Sequence, residues 1–370
     1  MTLRVEDIKL TDFRNYERFE LADIGPLTVL VGPNAVGKTN IIEGIQLMTS
    51  LTSFRHPTID QVIRRGAQAS RTEARITDDD RLLDVAMTLQ DHKRKYTLNG
   101  KAKRPADLKG LMPSVAFTPD DLELVKGPMS TRRTALDALG SQLSANHYLI
   151  KKDYEKVIRY KNRLLKEGAS TAFLDSIDET LVTCGAQLSC YRAALFAKLS
   201  PEVARRYADI SHGESLSACY TPSWQADVSR ETSAFSREEA RERLARALEE
   251  RRGEEIARKR SLVGPHADRV DFSIEGQDAS LFGSQGQQRS VVLAYKLAEA
   301  AVIEDVLDQK PILLLDDVMS ELDASRRNAL VEFISGDVQT FITTANLAYF
   351  DQSLLDNARV VELPRKEAAL

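Results

Sequence analysis

An α/β fold with an inserted helical domain is predicted by three observations. Nearly continuous apolar runs lie close to both ends of the chain, at residues 27–31, 311–315 and 338–343. Such runs suit strands buried on both faces, as in a parallel sheet. A glycine-containing loop follows the first run, and an apolar helical stretch (Ile41, Ile42, Ile45, Leu47, Met48) follows the loop. Between the two ends, residues 120–259 read as helical, with Leu174, Ile177, Leu181, Leu188, Tyr191 and Leu195 recurring at near-helical spacing. The ends therefore form one α/β domain and the middle is inserted into it, with boundaries at residues 1–118 plus 258–370 and at 119–257.

The first thirty residues supply strands, since Val5, Ile8 and Leu10 alternate with polar neighbours. In the middle, Ser200-Pro201-Glu202 reads as a helix start with proline at the first helical position. That region shows no sustained heptad and no internal repeat, so no long coiled coil is expected.

The composition is that of a globular protein: 42% apolar and 29% charged residues exclude a disordered or collagen-like chain. The 370 residues suffice for two domains. Cys184, Cys190 and Cys219 are odd in number and lack C-x-x-C spacing, so neither a disulfide framework nor a zinc site is indicated. The opening residues 1–10 carry Arg4, Glu6, Asp7 and Lys9 and lack the apolar core of a signal peptide. No run approaches the ~20 apolar residues that span a bilayer. A cytoplasmic protein with no membrane partner is expected.

Gly32-Pro33-Asn34-Ala35-Val36-Gly37-Lys38-Thr39 matches G-x-x-x-x-G-K-[ST] in full, between a strand and a helix as the motif requires. Its glycines let successive backbone N–H groups turn inward on a phosphate, and the following helix presents its positive end. Lys38 neutralises charge on the β- and γ-phosphates, and the Thr39 hydroxyl ligates Mg²⁺. Far along the chain, Asp316 and Asp317 close the apolar run 312–315. A carboxylate there holds Mg²⁺ (Asp316), and its neighbour orients or activates water (Asp317). Ser284-Gln285-Gly286-Gln287-Gln288-Arg289 precedes a helical stretch. It reads either as a polar helix cap or as a second anion-binding device.

The order of these motifs resembles the ABC-type ATPases. Ser284, Gln285, Gly286 and Gln287 are similar to their signature motif, with Gln285 in place of the first glycine. Ser320-Glu321-Leu322-Asp323 is similar to their D-loop. Within that superfamily the chain resembles the RecF family of bacterial DNA replication and repair proteins. The resemblance is carried by Asp12-Phe13-Arg14-Asn15-Tyr16, residues 32–40 with Glu43-Gly44-Ile45, Ser53-Phe54-Arg55 and Phe117-Thr118-Pro119-Asp120-Asp121-Leu122. It continues through Arg132-Arg133, Leu136-Asp137, Gly264-Pro265-His266, Asp268 and the two later motifs.

The resemblance implies an ABC-type P-loop ATPase head with ATP and Mg²⁺ as cofactors. Residues 32–40, from Gly32 to Asn40, would then hold the phosphates, and Arg14 and Asn15 would reach back to the nucleotide. It further implies that Ser284 and Gly286 meet the γ-phosphate of ATP on a second copy, making an ATP-dependent homodimer with shared sites, and that Asp323 belongs to the D-loop. Asp317 stands where a glutamate base is usual. A shorter carboxylate fits a slow hydrolytic switch. Two departures stand out: Thr118-Pro119-Asp120 occupies the region of the usual Q-loop glutamine, and Thr343-Thr344 replaces the switch histidine, with Thr344 at the switch position. His266 reads either as a turn-bonding structural residue or as a phosphate or DNA contact.

The net charge of −4 argues against a general nucleic-acid binder until it is partitioned. Residues 91–109 carry seven basic side chains against Asp91 and Asp107, and residues 151–166 carry seven against Asp153 and Glu155. Residues 299–323 carry eight acids against Lys310. Each basic run is either a solvated face or a set of phosphate contacts; Lys101, Lys103, Arg104, Lys151 and Lys152 are the candidate DNA contacts. The family implies double-stranded, gapped or junction DNA as ligand, RecR as partner and, through it, RecO and the loading of RecA. An SMC-type chromosome-organising ATPase and a transporter-type ATPase subunit are the alternatives. The missing heptads weigh against the first, and the basic runs against the second. No N-K-x-D motif supports a GTPase.

Overall fold

A computed structural model describes residues 4–78, 81–211, 213–225, 235–334 and 338–364. The first three residues of the opening segment lie outside that set. The chain divides into two compact units, Met1–Asp121 with Glu299–Leu370, and Leu122–Ala298.

In the first unit, β1 (Arg4–Phe13) and β2 (Tyr16–Leu21) form a hairpin, and β3 (Leu27–Val31) leads to the glycine loop. Then come β4 (Ala69–Asp78), β5 (Arg81–Gln90), β6 (Lys93–Leu98), β7 (Lys101–Lys103) and β8 (Ser114–Phe117). Two sheets result. One is antiparallel, with order β2-β1-β4-β5-β6-β7. The other is parallel and takes three later strands. These are β12 (Ile312–Asp316), β13 (Thr340–Thr344) and β14 (Arg359–Glu362), in the order β14-β3-β13-β12-β8. Every residue of β8, β12 and β13 is buried, which is why those segments lack the polar-apolar alternation of a half-exposed strand.

The helix Lys38–Thr49 packs on both sheets through Ile41, Ile42, Ile45, Leu47 and Met48, all buried. Each such side chain contributes about 1.5–3 kcal/mol relative to exposure. The buried Gln339 side chain stitches β1 to the parallel sheet: it accepts from the Val5 N–H at 2.8 Å and donates to the Val5 carbonyl at 2.9 Å.

The second unit holds the helices Met129–Leu143, Ala145–Glu167, Thr171–Ser211 and Arg237–Arg258. It also holds a three-stranded sheet of β9 (Leu216–Thr221), β10 (Arg269–Ile274) and β11 (Gln277–Asp278). Three readings change. β9 is a strand inside the stretch read as helical; it pairs antiparallel with β10. That pairing draws residues 258–298 into the helical unit, so the second division falls after Ala298 and not at 258. Pro201 starts no helix: it lies exposed inside the single helix Thr171–Ser211. An interior proline costs about 3 kcal/mol, but Phe196, Leu199, Val203, Tyr207 and Ile210 bury one face on either side of it, and packing holds the helix continuous.

Lys161, one of the seven cations of residues 151–166, is wholly buried. Its ammonium lies 2.8 Å from Asp178 and 2.6 Å from Glu255, tying three helices together.

Candidate nucleotide-binding site

β3 delivers the chain into residues 32–37, where Ala35 (φ 65°) and Gly37 (φ 112°) take the left-handed conformation. A side chain at Gly37 would also meet the Asn15 amide at 2.6 Å and the Tyr16 hydroxyl at 2.7 Å. The N–H groups entering the helix Lys38–Thr49 therefore sit in a tight concave turn, the geometry that favours an anion.

The Lys38 ammonium folds back on this turn and donates to the Gly32 carbonyl at 2.7 Å and the Pro33 carbonyl at 3.0 Å. Burial lowers its pKa, while the charges of Asp317 and Asp316 oppose the shift. The Thr39 hydroxyl donates to Asp316 Oδ1 at 2.9 Å, and the Thr343 hydroxyl donates to the same oxygen at 2.7 Å. Asp316 is only 5% exposed, and burial pushes its pKa up. A hydroxyl and a carboxylate oxygen side by side are hard donors suited to Mg²⁺, which takes few protein ligands and completes its shell with phosphate and water. The donor set of Thr39 and Asp316 fits that ion. Among the described residues no group of three or more His, Cys, Asp or Glu could hold a metal.

Asp317 is half-buried and takes a left-handed turn (φ 55°). Its N–H donates to Thr343, with the carbonyl at 3.1 Å and the hydroxyl at 3.0 Å. The Ser320 hydroxyl donates to the Asp317 carbonyl at 2.8 Å. Asp323 is exposed; it accepts the Arg326 N–H at 3.0 Å and pairs with the Arg326 guanidinium. The Thr344 hydroxyl serves its own turn, donating to the Asn346 carbonyl at 2.9 Å, so Thr343 is the threonine that reaches Asp316. Thr118 likewise bonds locally, its N–H donating to Asp121 at 2.6 Å.

Arg14 and Asn15 part company. Asn15 donates to the Val36 carbonyl of the loop at 3.1 Å and accepts from Asn40 at 2.8 Å. Arg14 grips the buried Glu43 through two bonds, at 2.8 and 2.6 Å, and the Gln61 carbonyl at 2.7 Å. A further residue, Arg55, donates to Asn40 at 2.6 Å, and its charge opposes the burial-driven rise in the Asp316 pKa. In sequence it is marked by the Ser53-Phe54-Arg55 stretch.

In the other unit, Ser284 caps the helix Gln285–Leu307. Its hydroxyl accepts the Gln287 N–H at 3.2 Å, and Gln287 returns a bond to the Ser284 N–H at 2.9 Å. The cap reading is thus realised, with Ser284 and Gln285 exposed and Gly286 half-buried. Lys101 and Lys103 are exposed on β7, Arg104 pairs with Asp107 at 2.9 Å, Lys151 pairs with Glu155 and Lys152 is exposed.

His266 serves its turn: Nε2 donates to the Ser261 carbonyl at 3.1 Å, and Nδ1 accepts from the Tyr154 hydroxyl at 2.6 Å. Burial holds its pKa below the ordinary value of 6.5. On acidification the unfolded histidine protonates first, so stability falls below about pH 6.5 and does not depend on this group above it. Comparing denaturant midpoints of wild type and His266→Gln from about pH 7.5 to about pH 5.5 checks this; the wild type should lose more stability than the variant.

A glycine loop between a buried parallel strand and a helix, facing an acidic strand end, is the architecture of the P-loop class with an ABC-type head. Residues 4–366 match the RecF/RecN/SMC N terminal domain. The DNA replication and repair protein RecF of Synechococcus sp. (strain JA-3-3Ab) is 36% identical over 375 residues, covering 98% of this chain and 96% of that one. Its counterpart from Moorella thermoacetica is 33% identical over 374 residues, covering 98% and 95%. The chain belongs to the RecF family. The solved recombination mediator protein RecF-ATPrS of the RecFOR pathway superimposes with a TM-score of 0.86 at 28% identity, covering 94% of each chain. An Smc head domain from Pyrococcus furiosus shares the fold alone, with a TM-score of 0.52 at 14% identity. Among the described residues no helix is long and apolar enough to cross a membrane.

Proposed function

We propose that this chain is an ATP-dependent DNA-binding protein of recombinational repair and replication-fork maintenance. It acts in the RecFOR pathway with RecR, and through it with RecO and RecA, at gaps in duplex DNA. ATP closes two copies into a clamp, and hydrolysis, slow and promoted by DNA, resets it. The convergence of Thr39, Asp316 and Thr343 beside the Lys38 loop carries the ATP part of this reading. The names of full-length relatives carry the repair part.

This geometry supports the following roles. The turn at 32–37 and the helix start bind the phosphates, and Lys38 exchanges its two loop carbonyls for phosphate oxygens. Thr39 and Asp316 would hold Mg²⁺, which would supply neutralisation of phosphate charge. Asp317 positions the attacking water, and its short side chain fits a switch better than a motor. Ser284 and Gly286 of one copy complete the site of the other, where the exposed helix start favours an anion. ATP then works by its higher affinity for the closed dimer.

Affinity for gapped duplex DNA, measured in Mg²⁺ with ATP or with ADP, tests this reading. ATP should tighten binding at least tenfold, a coupling of about 1.4 kcal/mol. Equal affinities in the two nucleotides would contradict a clamp gated by ATP.

A further inference from the structure

We propose that the exposed face of the helix Ala145–Glu167 is a backbone-tracking surface for nucleic acid, built from Lys152, Arg159, Arg163 and Lys166. This rests on the DNA-binding reading above and replaces the general basic run by a defined row. The run of seven cations in residues 151–166 is sorted by the fold. Lys161 is internal, between Asp178 and Glu255. Lys151 and Lys156 are spent on Glu155 and Asp153 of their own helix. The remaining four are all exposed, and among the described residues no carboxylate comes within ion-pair reach of any of them.

These four are spaced seven, four and three residues apart. At 3.6 residues per turn they fall within about 60° of each other around the axis and span about 21 Å along it. The opposite face is the one that packs inward, through Tyr154, Ile158, Lys161 and Leu165. The row is therefore presented to solvent by a helix that its own core holds in register.

Two of the cations lie over rings of the same helix, Lys152 over Tyr148 at 5.5 Å and Arg163 over Tyr160 at 4.9 Å. Each ring attracts its cation without neutralising it.

The shape of the array selects the ligand. A small anion satisfies one or two cations of a 21-Å row. Duplex DNA offers one charge per ~1.7 Å of axis, about twelve over that length, and so engages all four at once. A narrow line of cations along one helix also suits a backbone better than a flat bilayer, which favours a broad basic face beside an apolar one. Contacts of this kind position the protein without reading sequence.

The test uses the full chain, with ATP and Mg²⁺ present, and a fluorescent duplex of arbitrary sequence across a salt series. The K152Q/R159Q/R163Q/K166Q variant should bind at least tenfold more weakly than wild type at low salt. Its slope of log affinity against log salt should be shallower by about 3 to 4, since each phosphate contact contributes ~0.9. The R159K/R163K variant keeps the charges and should keep the slope. Thermal unfolding of each variant establishes that the fold is intact. Unchanged affinity and slope in the quadruple variant would overturn the assignment while leaving DNA binding in place. Failure of the wild type itself to bind duplex would instead overturn the reading on which it rests. Pure phosphatidylglycerol vesicles form the third arm: loss of vesicle binding with DNA binding intact would assign the row to a membrane and overturn the proposal.

Discussion

Lys38→Ala should lower ATP hydrolysis by about 10²–10³-fold, the range seen when a positioned charge or donor is removed from a phosphate or oxyanion site. The reason lies in where Lys38 is held. Its side chain is buried and its ammonium is pinned to the Gly32 and Pro33 carbonyls, at the mouth of the anion-binding turn. Burial there lowers its pKa, and the charges of Asp317 and Asp316 oppose that shift. Alanine removes the cation and leaves those acids facing the phosphates with less to offset them. Arginine should not restore activity, because its planar fork does not replace a compact ammonium in so tight a turn. Steady-state hydrolysis of the three proteins, with circular dichroism to show equal folding, checks this. A loss smaller than tenfold in Lys38→Ala would remove Lys38 from the catalytic role.

Lys161→Ala should destabilise the chain by about 3 kcal/mol, the low end for breaking a buried ion pair. Its ammonium is wholly enclosed between Asp178 and Glu255. Without it two carboxylates face each other out of water. Asp178, whose pKa burial already raises, then keeps Arg252 at 2.8 Å. Glu255 keeps the Ser261 hydroxyl at 2.9 Å and the Leu262 N–H at 2.8 Å. Those surviving bonds place the cost at the lower end. At about 2–4 °C per kcal/mol the melting temperature should fall by roughly 6–12 °C. The pair Lys161→Met with Glu255→Gln should recover part of the loss, because it removes one of the stranded charges. Thermal unfolding of the full-length variants measures both effects; a shift under about 2 °C in Lys161→Ala would place Lys161 in solvent.

The contrast between these two lysines shows what a sequence makes legible. Lys38 is readable because its setting is made by neighbours in the chain: glycines that turn the backbone, a strand before and a helix after. The strand ending in Asp316 and Asp317 is readable for a similar reason, since burial on both faces leaves an unbroken apolar run. Lys161 is not readable, because its partners lie on two other helices, and a lysine among six other cations looks solvated.

The same holds for Pro201, where a local start signal is overridden by apolar residues on both sides of it. It holds for β9, six residues long and defined by its pairing with a strand far along the chain. Within the site, the oxygens around Asp316 combine a readable pair, Thr39 and Asp316, with Thr343. In sequence that threonine stands out only as part of the Thr343-Thr344 pair in place of a histidine. Arg55 belongs to the same class, brought to Asn40 and Glu43 by the loop after the helix Lys38–Thr49.

The shared-site dimer is tested most directly by mass in solution, from light scattering on a sizing column, with and without ATP and Mg²⁺. Ser284 caps its helix through a hydroxyl that stands exposed at the helix start, so Ser284→Arg fills the position where a second copy's phosphate would dock and leaves the copy's own phosphate loop untouched. ATP should double the mass of the wild type. Ser284→Arg should bind ATP as tightly as wild type and remain at the monomer mass; a variant that binds ATP and dimerises like the wild type would contradict the shared site.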